Sequence, residues 1–145
     1  MRRIKHIIGI LFLLILPGII APSCETNRGQ IIPYVKVDKY LDINAELAGM
    51  GIGTTKLIPG EGVSGIVLYR ESDLEFYAYD RTCTLWPEHT AAVIEDTTFF
   101  GVFRCPECKS TYLLMNGAEP NSGPAQYPLV EYNAVIAGYM LHIYN

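Results

Sequence analysis

The stretch Cys105-Pro-Glu-Cys108-Lys-Ser-Thr-Tyr112 decides how this sequence is interpreted, because it places two cysteines on a short loop ahead of a strand-like segment. Two intervening residues allow both sulphurs to face one metal ion. An earlier loop carries Cys83 and, six residues further on, His89. Cys83, His89, Cys105 and Cys108 together make a Cys3His set that suits tetrahedral zinc.

Short strand patterns separated by turn residues surround both loops. Residues 65–70 and 74–79 predict a hairpin closed at 71–73, and residues 130–136 and 139–144 predict a second hairpin. Further strands are predicted at 34–41, 91–95, 98–104 and 112–115, with a long loop at 116–128. No helical pattern emerges, so we expect an all-β fold, an antiparallel sandwich or small barrel.

Composition limits both the architecture and the function. A chain of 145 residues holds one domain, and its 50% hydrophobic and 18% charged residues exclude intrinsic disorder. The formal net charge is -4, and removing Arg2, Arg3 and Lys5 leaves 8 basic against 15 acidic residues, or -7. This balance argues against a nucleic-acid partner. The sequence has no Ser-His-Asp order and no carboxylate pair in a supporting context, so an enzyme is less expected than a redox carrier or a structural or binding protein.

Residues 1–24 have the pattern of a secretory leader, with a basic start, an apolar run at 7–20, and small residues before Cys24. The end of this leader resembles the bacterial lipoprotein box, which implies lipidation of Cys24, export and attachment to a membrane surface. An ordinary signal peptide with an incidental cysteine is the alternative. Residues 25–33 form a tether, and residues 34–145 form the domain. Export exposes thiols to oxidation, and the remaining three cysteines cannot all pair within one chain.

The segment from Tyr77 to Tyr132 resembles the cluster-binding part of a Rieske iron-sulphur domain. The second loop is similar to the family's box Cys-x-x-His-Gly-x-x-Phe/Tyr, and the chain then continues through Asn116-Gly117, Gly123-Pro124-Ala125, Pro128-Leu129 and Tyr132. Upstream, Phe76-Tyr-Ala-Tyr-Asp-Arg-Thr-Cys83 is similar to the strand that enters the first box, Cys-x-His. Extended over residues 34–145, the resemblance implies two ligand loops at one tip, a [2Fe-2S] cluster, and electron transfer with a redox partner or oxygenase.

The ligands depart from the family pattern, in which two cysteines and two histidines bind the cluster. Leu85 and Cys108 stand at the histidine positions, so only Cys83 and Cys105 match family ligands. Three functions remain open: a cell-envelope lipoprotein with a remodelled, mainly structural metal site, zinc being possible; a [2Fe-2S] electron-transfer protein with Cys3His ligation; or a metal-free binding lipoprotein with a Cys105–Cys108 disulphide. His89 is either a ligand or a solvated loop residue, and we expect Trp86 to pack over the site.

Overall fold

The structure is a computed structural model that describes residues 31–86 and 88–145. Ten β-strands and one 3-10 turn (Leu114–Asn116) occur in this part of the chain. The strands are β1 (Asp38–Asp42), β2 (Thr55–Ile58), β3 (Ile66–Arg70), β4 (Phe76–Asp80), β5 (Ile94–Glu95), β6 (Val102–Arg104), β7 (Thr111–Leu113), β8 (Glu119–Ser122), β9 (Glu131–Ala137) and β10 (Met140–Tyr144). The leader 1–24, Cys24 and tether residues 25–30 lie outside the described residues.

All strand pairs are antiparallel, and they form two sheets. One sheet has six strands in the order β1-β10-β9-β4-β3-β2, and the other has four in the order β5-β6-β7-β8. The predicted all-β antiparallel architecture is therefore confirmed. Within the described residues, no helix is long and apolar enough to cross a membrane.

The hairpin of β3 and β4 is buried on both faces and divides the interior into two cores. Ile66 and Leu68 point into a core shared with β1, β9 and β10, whereas Val67 and Tyr69 point into a core shared with the four-stranded sheet. This explains why β3 is a continuous apolar run with no alternation, the pattern expected when both faces of a strand are covered. The second core also contains Cys83 and Cys105, so it positions the two loops.

Four local predictions were wrong. Residues 98–101 form the turn before β6 and not part of a strand, and residues 114–116 form the 3-10 turn after β7. The expected long loop at 116–128 contains β8, whose partner is β7. The first strand begins at Asp38, four residues later than predicted, although Val37 and Leu41 still face inward as the alternation required.

Candidate metal centre

The two sulphur-bearing loops meet at the end of β4 and β6. Cys83 follows β4, and its N–H bonds the carbonyl of Ala91, which folds the intervening loop back on itself. Cys105 follows β6, and its N–H bonds the carbonyl of Ser110, which closes a tight turn around Cys108. The four predicted ligand atoms, from Cys83, His89, Cys105 and Cys108, all lie within 4.8 Å of one another.

The sulphurs and the imidazole approach each other at hydrogen-bonding distances. The Sγ atoms of Cys83 and Cys108 are 3.5 Å apart, and Nε2 of His89 is 3.2 Å from Sγ of Cys105. Cys83, Cys105 and Cys108 are free in the structure, so no disulphide joins Cys105 to Cys108 there. Cys83, Cys105 and His89 are buried, and Cys108 is partly exposed.

A carboxylate from the other loop lies beside the His89 ring. Nδ1 of His89 lies 3.4 Å from Oε2 of Glu107, while Nε2 faces Cys105. A histidine that donates its Nδ1–H to a carboxylate keeps the Nε2 lone pair available, which is the usual arrangement around metal-bound histidine. Glu107 therefore fits the role of positioning His89 as a metal ligand.

Two hydroxyl groups face the ligand sulphurs. The Tyr112 hydroxyl lies 3.3 Å from Sγ of Cys83 and accepts the N–H of Thr84, and Ser110 Oγ lies 3.1 Å from Sγ of Cys108 and accepts the N–H of Ala125. The Cys108 thiol donates to Ser110 Oγ in the structure. Once a cysteine is ionised, the hydroxyl hydrogen of its partner can instead be donated to the thiolate. Both hydroxyl groups are thus placed to stabilise thiolates, the form in which cysteine binds metal.

Burial and these hydrogen bonds affect the two thiols in opposite directions. Burial raises the pKa of the Cys83 thiol to about 12, although the Tyr112 hydrogen bond partly opposes it. Burial also disfavours ionisation of Cys108, but hydrogen bonds from Ser110, together with those from Cys83 and Cys105, hold that pKa below its ordinary value. A buried thiolate at Cys83 needs a nearby positive charge, and a bound metal ion supplies one. The donor set therefore fits a soft or borderline metal.

Gly123, just after β8, lies against Ser110 at a position that only glycine can occupy. Its φ is +91°, and a Cβ built on it would lie 2.4 Å from Cα and 2.7 Å from Oγ of Ser110. Only glycine permits this approach, which lets the segment 123–125 pack against the Cys105–Ser110 turn and deliver the Ala125 N–H. The Gly-Pro-Ala series thus supports Ser110 from outside the ligand set.

Trp86 lies beside the centre and remains half exposed. Its ring centroid is 5.2 Å from that of His89, with the planes tilted by 59°, and its carbonyl accepts the His89 N–H.

The third histidine, His142, lies elsewhere, on the outer face of β10, where Nε2 is 2.8 Å from Oδ1 of Asp38. Sequence reasoning missed the contributions of Glu107 and Ser110, since both depend on contacts made only after the loops fold.

No family model matches the chain, and no curated protein matches it. Among solved structures, the chain is similar to one from a structure described as a complex of reduced oxygenase and oxidised ferredoxin in carbazole 1,9a-dioxygenase. The identity is 26%, the alignment covers 64% of this chain and 82% of that chain, and the TM-score is 0.47. A likeness of this size does not define the fold, whereas the strand pairing does. Fold and site define an all-β protein with a Cys3His group between two loops.

Proposed function

We propose that this protein is a Rieske-like metal-binding domain in which Cys83, His89, Cys105 and Cys108 hold one tetrahedral ion, zinc, that joins the two loops. The observation that carries the proposal is the orientation of His89, with Nδ1 toward Glu107 and Nε2 toward Cys105. A solvated loop histidine would have no reason to be buried with its two nitrogens divided between a carboxylate and a thiol.

The compactness of the four ligand atoms favours one ion over a binuclear cluster. With metal–sulphur bonds of about 2.3 Å, the corners of a tetrahedron lie about 3.8 Å apart. The four ligand atoms lie within 4.8 Å of one another, and the sulphurs of Cys83 and Cys108 are 3.5 Å apart. Ligands of a binuclear cluster divide into two pairs, one on each iron, and so spread further.

The ion's role would be to stabilise the fold at a place where the chain provides little regular structure. Among the described residues of the segment 83–93, the one strand-like bridge pairs Ala92 with Thr82, just after β4. Three thiolates and an imidazole from two loops would link these segments directly. Because ligand binding is coupled to folding in such sites, metal removal is expected to lower stability.

The test is metal analysis of the full chain, purified anaerobically, with His89→Ala and Cys105→Ser beside the matched control His142→Ala. We expect about one zinc per chain in the wild type and in His142→Ala, and loss of zinc with a lower melting temperature in the other two variants. A metal-free wild type, or His89→Ala protein that keeps its zinc, would refute the proposal. Chelation of the wild type should reproduce the lower melting temperature.

A second candidate is a [2Fe-2S] electron-transfer protein that serves a redox partner. The hydroxyl groups of Tyr112 and Ser110 favour it, because hydrogen bonds to cluster ligands help to set reduction potentials. The resemblance of residues 77–132 to Rieske domains supports the same function. Iron with acid-labile sulphide, visible absorption and a reversible one-electron change in the same preparation would select this candidate over zinc.

The cellular setting that we propose is the outer side of a membrane, with Cys24 lipidated after export. The leader pattern at 1–24 and the small residues before Cys24 support it. Metabolic labelling with a fatty acid is expected to mark the wild type and to be lost in Cys24→Ser. Labelling that persists in the variant would refute lipidation at this residue.

A further inference from the structure

The turn between β5 and β6 presents the most exposed apolar side chains near the four-stranded sheet. Phe100 is 93% exposed, and Phe99 is 65% exposed. Met115, 60% exposed, lies against the same turn, since the Leu114 N–H bonds the Gly101 carbonyl and Met115 Cε is 4.0 Å from the position of a Cβ on Gly101. We call Phe99, Phe100 and Met115 the apolar tip. An exposed cluster of this kind commonly marks a membrane or protein contact.

The backbone of this turn is closed internally, so the phenylalanines are held outward. The Asp96 N–H bonds the Val102 carbonyl, the Thr98 N–H bonds Oδ1 of Asp96, and the Val102 N–H bonds the Phe99 carbonyl. These three bonds give the turn a fixed conformation in which both phenylalanine side chains stay exposed. An apolar contact at the tip therefore needs no change in the backbone of the turn.

The apolar tip and the metal centre lie at opposite ends of the small sheet. β6 begins just after Phe100 and ends just before Cys105, and five residue steps of about 3.3 Å give a separation of at most about 17 Å. β7 then returns from Ser110 to Leu114, beside Gly101. A surface that covers the tip would leave the metal centre and Trp86 facing away from it.

The chain enters the described structure between residues 127–131 and the end of the 3-10 turn. Ile31 lines an open pocket of about 300 Å³ together with Gly117, which follows the 3-10 turn that carries Met115. Upstream lie the apolar run 7–20 and Cys24. Seven residue steps separate Cys24 from Ile31 and span at most about 25 Å. An anchor at Cys24 would therefore keep this side of the domain within reach of the bilayer.

We propose that the apolar tip inserts into the surface of the lipid bilayer, as a second membrane contact beside the anchor. The inference rests on the proposed anchoring at Cys24 and goes beyond the metal site. Aromatic side chains are favoured at the boundary between lipid headgroups and acyl chains, and a short tether makes even a weak contact effective by raising its local concentration.

The charges around the tip indicate which lipid it contacts. Glu95, Asp96 and Glu119 lie near it, and Arg104 approaches Asp96 at 4.0 Å. This surface lacks the excess of basic residues with which proteins bind anionic lipids. We therefore expect binding to zwitterionic phosphatidylcholine, with no gain from added anionic lipid.

The test uses Trp86, the only tryptophan, as an internal control. The full chain isolated from the membranes of a bacterial host is reconstituted into phosphatidylcholine vesicles with brominated acyl chains, which quench tryptophan fluorescence only on close contact. Phe100→Trp places a reporter in the tip. Leu57→Trp is the matched control, because Leu57 is half exposed on β2 of the six-stranded sheet and not on the sheet that carries the tip.

We expect several-fold stronger quenching of Phe100→Trp than of the wild type or Leu57→Trp, with a blue shift of its emission. Equal quenching in the three proteins would overturn the proposal. A concentration-dependent blue shift without lipid quenching would also overturn it, because a second copy would then cover the tip. Vesicle flotation reports the anchor separately: protein that floats without quenching refutes only the tip, whereas protein that does not float refutes the anchoring and the tip together.

Discussion

Replacing Gly123 with alanine is expected to disturb the metal centre from outside its ligand set. The left-handed φ of +91° costs a non-glycine residue about 1–2 kcal/mol. The new Cβ would also lie 2.4 Å from Cα and 2.8 Å from N of Ser110, and forced contacts in a packed interior cost about 1–3 kcal/mol. Because these atoms belong to the backbone, Ser110 must shift. We expect Gly123→Ala to lower the free energy of unfolding by about 2–5 kcal/mol.

Gly117→Ala is the matched control for the backbone conformation. Gly117 has φ of +67°, and nothing lies within 4 Å of a Cβ built on it, so only the conformational cost of about 1–2 kcal/mol remains. Denaturant unfolding, followed by Trp86 fluorescence, gives both values. Gly123→Ala should also weaken metal binding, since Ser110 faces Cys108, whereas Gly117→Ala should not. Equal losses of stability in the two variants would refute the inferred contact.

Three further changes test other parts of the fold. Lys109 has φ of +66°, so Lys109→Gly should raise the free energy of unfolding by up to about 1 kcal/mol, and a lower denaturation midpoint would contradict this. The Tyr132 hydroxyl donates to the buried Asp80 carboxylate at 2.7 Å, so Tyr132→Phe should cost about 1.5–3 kcal/mol in the same assay, and an unchanged midpoint would show that the bond contributes nothing. Burial raises the pKa values of Tyr79, Tyr112 and Tyr132 above the ordinary 10.0, so these groups ionise first in the unfolded chain. Their contribution to the free energy of unfolding is therefore complete below pH 10 and falls as the pH rises further. Phenolate absorbance should show these groups titrating only on unfolding, not in the folded protein.

The sequence alone predicted the strands whose pairing partners are close along the chain. The hairpins β3–β4 and β9–β10 were predicted because apolar strands flank short turns, and both occur in the structure. β8, with the sequence Glu-Pro-Asn-Ser, has no strand pattern, and its conformation follows from its pairing with β7. Phe99 and Phe100 were assigned to a strand because they are apolar, yet they are exposed in a turn, where burial does not determine their position.

The candidate site likewise has a part that the sequence predicted and a part that depends on contacts between distant residues. The spacing of Cys105 and Cys108 indicated a metal site without further information, whereas the assignment of His89 depended on how the loop after Cys83 folds. That fold depends on backbone hydrogen bonds at Cys83 and His89 that no local sequence pattern specifies. Glu107 lay within the recognised motif, but its contact with His89 joins residues from separate loops and could not be deduced from spacing.

The pairing of β1 with β10 has a consequence for the order in which the protein can fold. Asp38 pairs with Tyr144, and the Asn145 side chain bonds the Val37 N–H and the Val35 carbonyl, more than a hundred residues away in sequence. Until residues 140–145 are available to pair, β1 has no neighbour in the six-stranded sheet and the core behind Val37 stays open. Contacts of such long sequence separation form slowly, so an incomplete chain keeps this edge exposed and is prone to aggregate.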